Sequence, residues 1–170
     1  SLLGGFWPLM EWMSTLPSAQ RYFAAAPLWA FALALIGIAW SLLPFGPRAR
    51  ALGLFLLLPL IAPSHERLAD GEFEIWMFDV GQGLSVLVRA PGEQWFYDAG
   101  PRYPSGFDVG DAVVVPSLRA LGVDTLDRVV ISHGDSDHAG GAAAIHLAFP
   151  DSPIESGEPE RLTLTSRACQ

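Results

Sequence analysis

A chain of 170 residues has room for one domain or a little more, but this one is split in composition. Residues 1–65 carry Glu11, Arg21, Arg48, Arg50 and His65 as their only acidic, basic or histidine side chains, whereas residues 66–170 hold 17 acidic against 7 basic residues, a net of −10. The lone Cys169 excludes an intramolecular disulfide and a cysteine-based zinc finger, and the acidic balance of the second part excludes nucleic-acid binding by bulk charge alone.

In chain order, residues 1–22 bring Trp7, Pro8, Met10, Trp12, Met13 and Pro17. They read as an interfacial or partly inserted segment, or as the tail of an earlier membrane span. "FAAAPLWAFALALIGIAWSLL", Phe23 to Leu43, is 21 residues without a charge. As a helix it would cover about 30 Å, enough to cross a hydrocarbon core, with Trp29 and Trp40 near its ends. "ALGLFLLLPLIA", Ala51 to Ala62, is uncharged but short, and reads either as the core of a second crossing or as a re-entrant or interfacial segment. Arg48 and Arg50 between them, against Arg21 before the first, favour a cytoplasmic loop. A second crossing then leaves residues 66 onward outside the cytoplasm. The expected organisation is a multi-pass membrane region over 1–65, with spans near 23–43 and 51–62, and a soluble region over 66–170. His65 sits at the boundary and reads as a solvated side chain. Because the chain opens inside an apolar stretch and ends at "SRACQ", it reads as a fragment of a longer protein.

From Glu72 the texture is that of strands. "EFEIWMF" alternates, with Phe73, Ile75 and Met77 on one side and Glu74, Trp76 and Phe78 on the other. Gly81 and Gly83 make a turn, "LSVLVRA" is a second strand, "PGEQ" a turn, and "WFYDAG" a third strand ending at Asp98. A loop over 100–110 leads into a helix entered near Asp111 or at Pro116 and stopped by Gly122. "DRVVIS" is a short buried strand and "HAGGAAAIHLAFP" a helix. Strands followed by strand–loop–helix units predict an α/β protein with a mixed sheet.

"ISHGDSDHAGG", residues 131–141, lies where that buried strand gives way to the helix. His133 and Asp135 are two apart, so in an extended loop they point to one side. Asp137 and His138 open the helix and turn back into the same space. Imidazole and carboxylate ligands suit zinc, manganese or iron, and a metal pair activates water for a displacement. The plainer alternative makes Asp137 a helix cap and Asp135 a turn former, with Ser132 and Ser136 in support. It accounts for neither histidine. His146, eight residues past His138, reads as an ordinary helix histidine, and Cys169 has no partner.

"SHGDSDHAGG" resembles the metal-binding signature of the metallo-β-lactamase fold, His-x-His-x-Asp-His, with Asp135 in place of the second histidine. Together with "FDVGQG" at 78–83, "FYDAG" at 96–100 and the run from 113 to 141, it is similar to the C-terminal domain of ComEC-type competence proteins, which move transforming DNA across the inner membrane. The resemblance implies a partial metallo-β-lactamase-like αββα sandwich, truncated at Gln170 and preceded by transmembrane helices. It implies two divalent metal ions, zinc or manganese, ligated by His133, Asp135, Asp137 and His138. It makes Asp137 and Asp98 the catalytic residues, Asp98 through support of the metal loop, and places Asp79 and Gln82 at the rim. Leu84 departs from the Asp that many relatives carry after that glycine. Asp135 is a harder, charged ligand, which favours manganese or magnesium over zinc and makes bound water less acidic. The fold's later ligands, another His, a bridging Asp and a final His, have no counterpart here, since no histidine follows His146.

The implied function is DNA uptake at the inner membrane with metal-dependent phosphodiester cleavage. Its partners would be single-stranded DNA, membrane lipid and other competence-machinery proteins. A membrane-tethered hydrolase of a non-DNA substrate, or a non-catalytic gating domain of the channel, are the alternatives.

Overall fold

The computed structural model describes residues 2–16, 24–63, 68–162 and 164–169. Arg21, Phe23 and His65, which bear on the membrane expectations, lie outside the described residues.

Among its described residues the apolar region forms four helices: α1 (Leu2–Ser14), α2 (Leu28–Leu42), α3 (Pro47–Phe55) and α4 (Leu58–Ile61). Among the described residues no helix is long and apolar enough to cross a membrane. The 15 residues of α2 reach about 22 Å. The second apolar segment does not stay one helix either. Pro59 has no N–H and its ring crowds the carbonyl four residues back, and α3 ends at Phe55, that residue. The helix also begins earlier than the apolar run, at Pro47, so Arg48 and Arg50 lie inside α3 and not in a loop. The hairpin of α2 and α3 closes on two glycines: a Cβ on Gly37 or on Gly53 would strike the other's carbonyl oxygen. The indole of Trp40 donates to the Ala49 carbonyl at 2.8 Å, and Arg50 Nε to the Leu43 carbonyl at 3.0 Å.

The acidic region is a six-stranded sheet in the order β1 (Glu74–Met77), β2 (Val86–Ala90), β3 (Glu93–Tyr97), β4 (Arg128–Ile131), β5 (Ile154–Ser156) and β6 (Arg167–Ala168). The β1–β2 and β2–β3 pairs are antiparallel, as the meander predicts; β3–β4, β4–β5 and β5–β6 are parallel. The mixed sheet expected from the sequence is therefore present. Between β3 and β4 the chain makes a π-helical turn (Gly110–Val114) and α5 (Val115–Ala120), so the helix starts earlier than Pro116 but in a wider winding. Between β4 and β5 the predicted single helix is two, α6 (Ser136–Ala139) and α7 (Ala142–Ala148). Gly140 and Gly141 lie between them, the departure from helical ψ falling at Gly141 (φ −84°, ψ 0°). Both positions are held to glycine because neighbouring backbone sits where a Cβ would be, at Arg102 for Gly140 and at Ala99 for Gly141.

One face of the sheet is the core. Leu87, Phe96, Val129, Ile131 and Ile154 are buried against Val114 of the π turn, Leu118 of α5, and Ile145 and Phe149 of α7 and its end. Register puts Ile75, Val88, Trp95 and Arg128 in one row of the opposite face and Met77, Val86, Tyr97 and Val130 in the next. That face is open: Met77 is 74% exposed, and Ile75, Trp95 and Tyr97 are also exposed. The alternation of β1 thus holds, but its apolar side faces away from the core.

Candidate metal centre

Three separate stretches are tied together by backbone before any side chain is considered. Leu84 N–H donates to the Asp137 carbonyl at 3.3 Å, Ala99 N–H to His138 at 2.7 Å, and Gly141 N–H to Gly100 at 3.0 Å. Gly100 N–H in turn donates to Leu84 at 3.0 Å. The close approach needs glycine: Gly83 has φ +148°, and a Cβ there would strike the Asp137 carbonyl. "FDVGQG", "FYDAG" and "SHGDSDHAGG" therefore meet at one point, the C-terminal ends of β3 and β4.

Asp98, just past β3, is fully buried and has φ 55°, the one non-glycine residue among those described with positive φ. Aspartate tolerates this conformation better than most side chains. Its Oδ1 accepts the Ser132 N–H at 2.7 Å; its Oδ2 accepts the Ser132 hydroxyl at 2.8 Å and lies 2.6 Å from His138 Nδ1. A carboxylate oxygen in that contact takes the ring's proton on Nδ1, which leaves Nε2 as the available lone pair. This is how carboxylates orient metal-ligating imidazoles. Asp98 reaches no open surface; it acts through His138 and Ser132 and is a positioning residue by geometry.

His138 Nε2 faces Asp137 Oδ2 at 3.7 Å, and His133 Nδ1 faces Asp135 Oδ2 at 3.3 Å. The two imidazole rings lie 4.1 Å apart. All four predicted ligands are thus brought to one surface, each partly open to solvent. Asp135 is the N-cap residue of α6 by position, yet its side chain makes no capping bond. Its Oδ1 instead accepts from Arg161 Nη2 at 2.6 Å. Arg161 Nη1 donates to Glu158 Oε2 at 2.6 Å, and that oxygen also accepts the Gly134 N–H at 3.0 Å. The hydrogen bond and charge of Arg161 hold the Asp135 carboxyl below its ordinary range. The Gly134 N–H, then Arg161, do the same for Glu158, and the two carboxylates raise Arg161.

Two donors on one first-row divalent ion, each bonded at about 2.0–2.2 Å, stand 3–4 Å apart. The His133–Asp135 and His138–Asp137 spacings fit that chemistry as two ligand pairs. They do not form a closed site: among the described residues no group of three or more His, Cys, Asp or Glu side chains is gathered for a metal. Arg161 engages one oxygen of Asp135, Oδ1, while the other faces His133. Asp79 is exposed and caps its own turn, its Oδ1 accepting from Gly81 N–H at 3.3 Å, and Gln82 is exposed in the same turn, next to the Gly83 contact with Asp137. His146 is exposed on α7, away from this cluster.

Sequence reasoning did not find Arg161, Glu158 or the pairing of Ser132 with Asp98. Ser132 was legible only as a turn former. The i,i+3 spacing of Glu158 and Arg161 is a local signal of their ion pair, but nothing local marks the reach of Arg161 to Asp135, 26 residues away.

The model of the metallo-β-lactamase superfamily matches residues 78–168, more than half of the chain, and the chain belongs to that superfamily. It is 36% identical over 151 residues to Competence protein ComA of Neisseria gonorrhoeae, covering 89% of this chain and 21% of that protein. Recombination protein 2 of Haemophilus influenzae is 34% identical over 96 residues, 56% of this chain and 12% of its own length. ComE operon protein 3 of Bacillus subtilis is 35% identical over 119 residues, 58% of this chain and 15% of its own. The ComEC-type resemblance carried by the motifs is borne out by these matches, and the chain spans about a fifth or less of each relative.

Proposed function

We propose that the chain is part of a DNA-uptake protein of the inner membrane, in which the superfamily domain cleaves DNA phosphodiesters with two divalent metal ions, zinc or manganese. The observation that carries this reading is the Asp98–His138 pair, a buried carboxylate fixing an imidazole whose other nitrogen faces Asp137 across 3.7 Å. His133 and Asp135 would hold one ion, and Asp137 and His138 the other. Ions held there would supply an acidified water and charge neutralisation at phosphorus. Asp137 bears directly on that chemistry, while Asp98 sets the ring that faces it; Asp79 and Gln82 shape the rim. Further ligands come, in this reading, from a second half of an αββα sandwich that also covers the open sheet face. The apolar helices anchor the protein in lipid as a multi-pass segment, with residues from 66 on the outer side. Its partners are single-stranded DNA and other proteins of the competence machinery.

One observation favours the non-catalytic alternative. Arg161 already neutralises Asp135, as an internal cation would in a domain that only gates the channel. A nuclease assay on the full-length protein, with manganese and with zinc, separates the two. The expected result is metal-dependent cleavage of single-stranded DNA that Asp137→Ala reduces at least a hundredfold, about 3 kcal/mol of barrier. Cleavage undiminished by Asp137→Ala, or none with either metal, refutes the catalytic reading.

A further inference from the structure

The metal-binding motif floors an open cleft of roughly 400 Å³ that the ligand set does not explain. One wall is the loop after β3, with Arg102 and Tyr103; the other is the turn bearing Arg161. Gly134 and Gly140 let the walls descend onto the motif, since a Cβ on Gly134 would strike the Arg161 side chain and one on Gly140 the Arg102 backbone. The Ser136 hydroxyl fixes the first wall by donating to the Arg102 carbonyl at 2.9 Å.

That wall is a miniature hairpin. Arg102 bridges to Asp108, and Tyr103 N–H donates to the Phe107 carbonyl at 2.8 Å. Tyr103 and Phe107 therefore stack, with ring centroids 6.2 Å apart and planes 27° from parallel. Both rings are exposed, 41% and 53%, and neither belongs to the core. Beside them the Arg102 side chain is 58% exposed, with Asp108 at the edge of ion-pair range, 4.0 Å. Arg161, across the cleft, is already engaged by Asp135 and Glu158.

We propose that this hairpin is a binding platform for single-stranded DNA. Bases stack on the Tyr103–Phe107 pair, and Arg102 takes the adjoining phosphate as the strand runs over Ser136 towards the candidate metal centre. The inference rests on the nuclease reading and adds how a strand is held. A region with a net charge of −10 cannot gather DNA by counterion release, so affinity must come mainly from contacts that are not ionic. Aromatic stacking is such a contact, is indifferent to sequence, and is open only to unpaired bases. A duplex keeps its bases stacked inside and offers this surface only phosphates.

The test is the fluorescence anisotropy of a fluorescein-labelled oligothymidine titrated with the full chain in non-ionic detergent and a chelator, so that neither cleavage nor metal enters. Tyr103→Ala and Phe107→Ala should each weaken binding about fivefold or more, with Tyr103→Phe close to the parent. Arg102→Ala should flatten the dependence on log salt by about one phosphate contact. A duplex of equal length should bind about tenfold more weakly or worse, since it forfeits the stacking. Unchanged circular-dichroism melting of the variants excludes misfolding, and exposed rings make that the expected result. Equal binding by parent and alanine variants, or no binding by the parent, overturns the platform. So does loss of partition into anionic vesicles with oligothymidine binding unmoved, which would assign the aromatic pair to a lipid surface. If cleavage needs Asp137 but the aromatic variants bind normally, the platform fails and the nuclease reading stands. If the aromatic variants lose binding in a protein that cleaves nothing, the platform stands and the nuclease reading fails.

Discussion

Asp98 accepts from Ser132, 34 residues later, through both oxygens, and contacts His138, 40 residues later, through one of them. Burial makes the Asp98 carboxylate costly to leave without partners. Asp98→Asn keeps the shape but turns one acceptor into a donor. Its amide must then face either the Ser132 N–H, donor against donor, or the Ser132 hydroxyl and His138 Nδ1. In the second arrangement His138 can satisfy the amide only by accepting on Nδ1, which moves its proton to Nε2, the nitrogen facing Asp137. We expect Asp98→Asn to lower the unfolding free energy by about 1–3 kcal/mol and to give His138 the Nε2–H tautomer. Denaturant unfolding and long-range 15N correlation of the imidazole check the two parts. A stable variant with the Nδ1–H tautomer retained would mean that Asp98 does not set the ring.

Between elements, glycines control how closely the three motif stretches meet. Gly83 and Gly92 both have positive φ, but a Cβ on Gly92 meets open space, whereas one on Gly83 strikes the Asp137 carbonyl. Gly92→Ala should therefore cost only the left-handed strain, about 1–2 kcal/mol. Gly83→Ala should cost an overpacking term of about 1–3 kcal/mol in addition, and push the "DVGQG" turn off the motif. Urea midpoints of the two variants measure the difference, and equal losses would show that the turn yields freely. These glycines were legible as turns because their spacing is local. Their contacts were not, since the partner of Gly83 lies 54 residues on. The strands of the meander and the buried "DRVVIS" strand were legible because period and β-branched composition are also local signals. The split after Gly140 was not read, because it depends on neighbouring backbone from Ala99 and Arg102; the break before Pro59 follows from that proline's own missing N–H and ring, a local signal. The turn carrying Glu158 and Arg161 gives a pH prediction for the metal-free chain. Asp135 and Glu158 are both depressed in the fold, from ordinary values of 3.8 and 4.5, so the stability of this tether is fully present above those values and is lost as pH falls through the lower folded ones. The Gly134 amide, which donates to Glu158, should report that loss by a 15N shift with a midpoint below the ordinary glutamate value of 4.5. A midpoint at or above that value would mean the pairing is absent in solution.

At the scale of the molecule, the sheet has one buried face and one open one. Ile75, Met77, Trp95 and Tyr97 line the open face beside Val86 and Val88, and no core residue of the described chain lies over them. Monomeric proteins seldom leave a contiguous apolar patch of several strands in water, so such a face acts as an interaction surface. Because these side chains are already exposed, replacing them removes little folding energy, within about 0.5 kcal/mol per site. Ile75→Ser with Met77→Ser should therefore leave the urea midpoint nearly unchanged while lowering the fluorescence of a bound apolar dye by about half or more, measured on the chain in lipid nanodiscs. If the midpoint falls steeply instead, the face is covered in solution. If dye binding is untouched, the dye reports the helices of residues 6–16 and 24–63, which also carry exposed apolar side chains, and the sheet face is not the sticky surface.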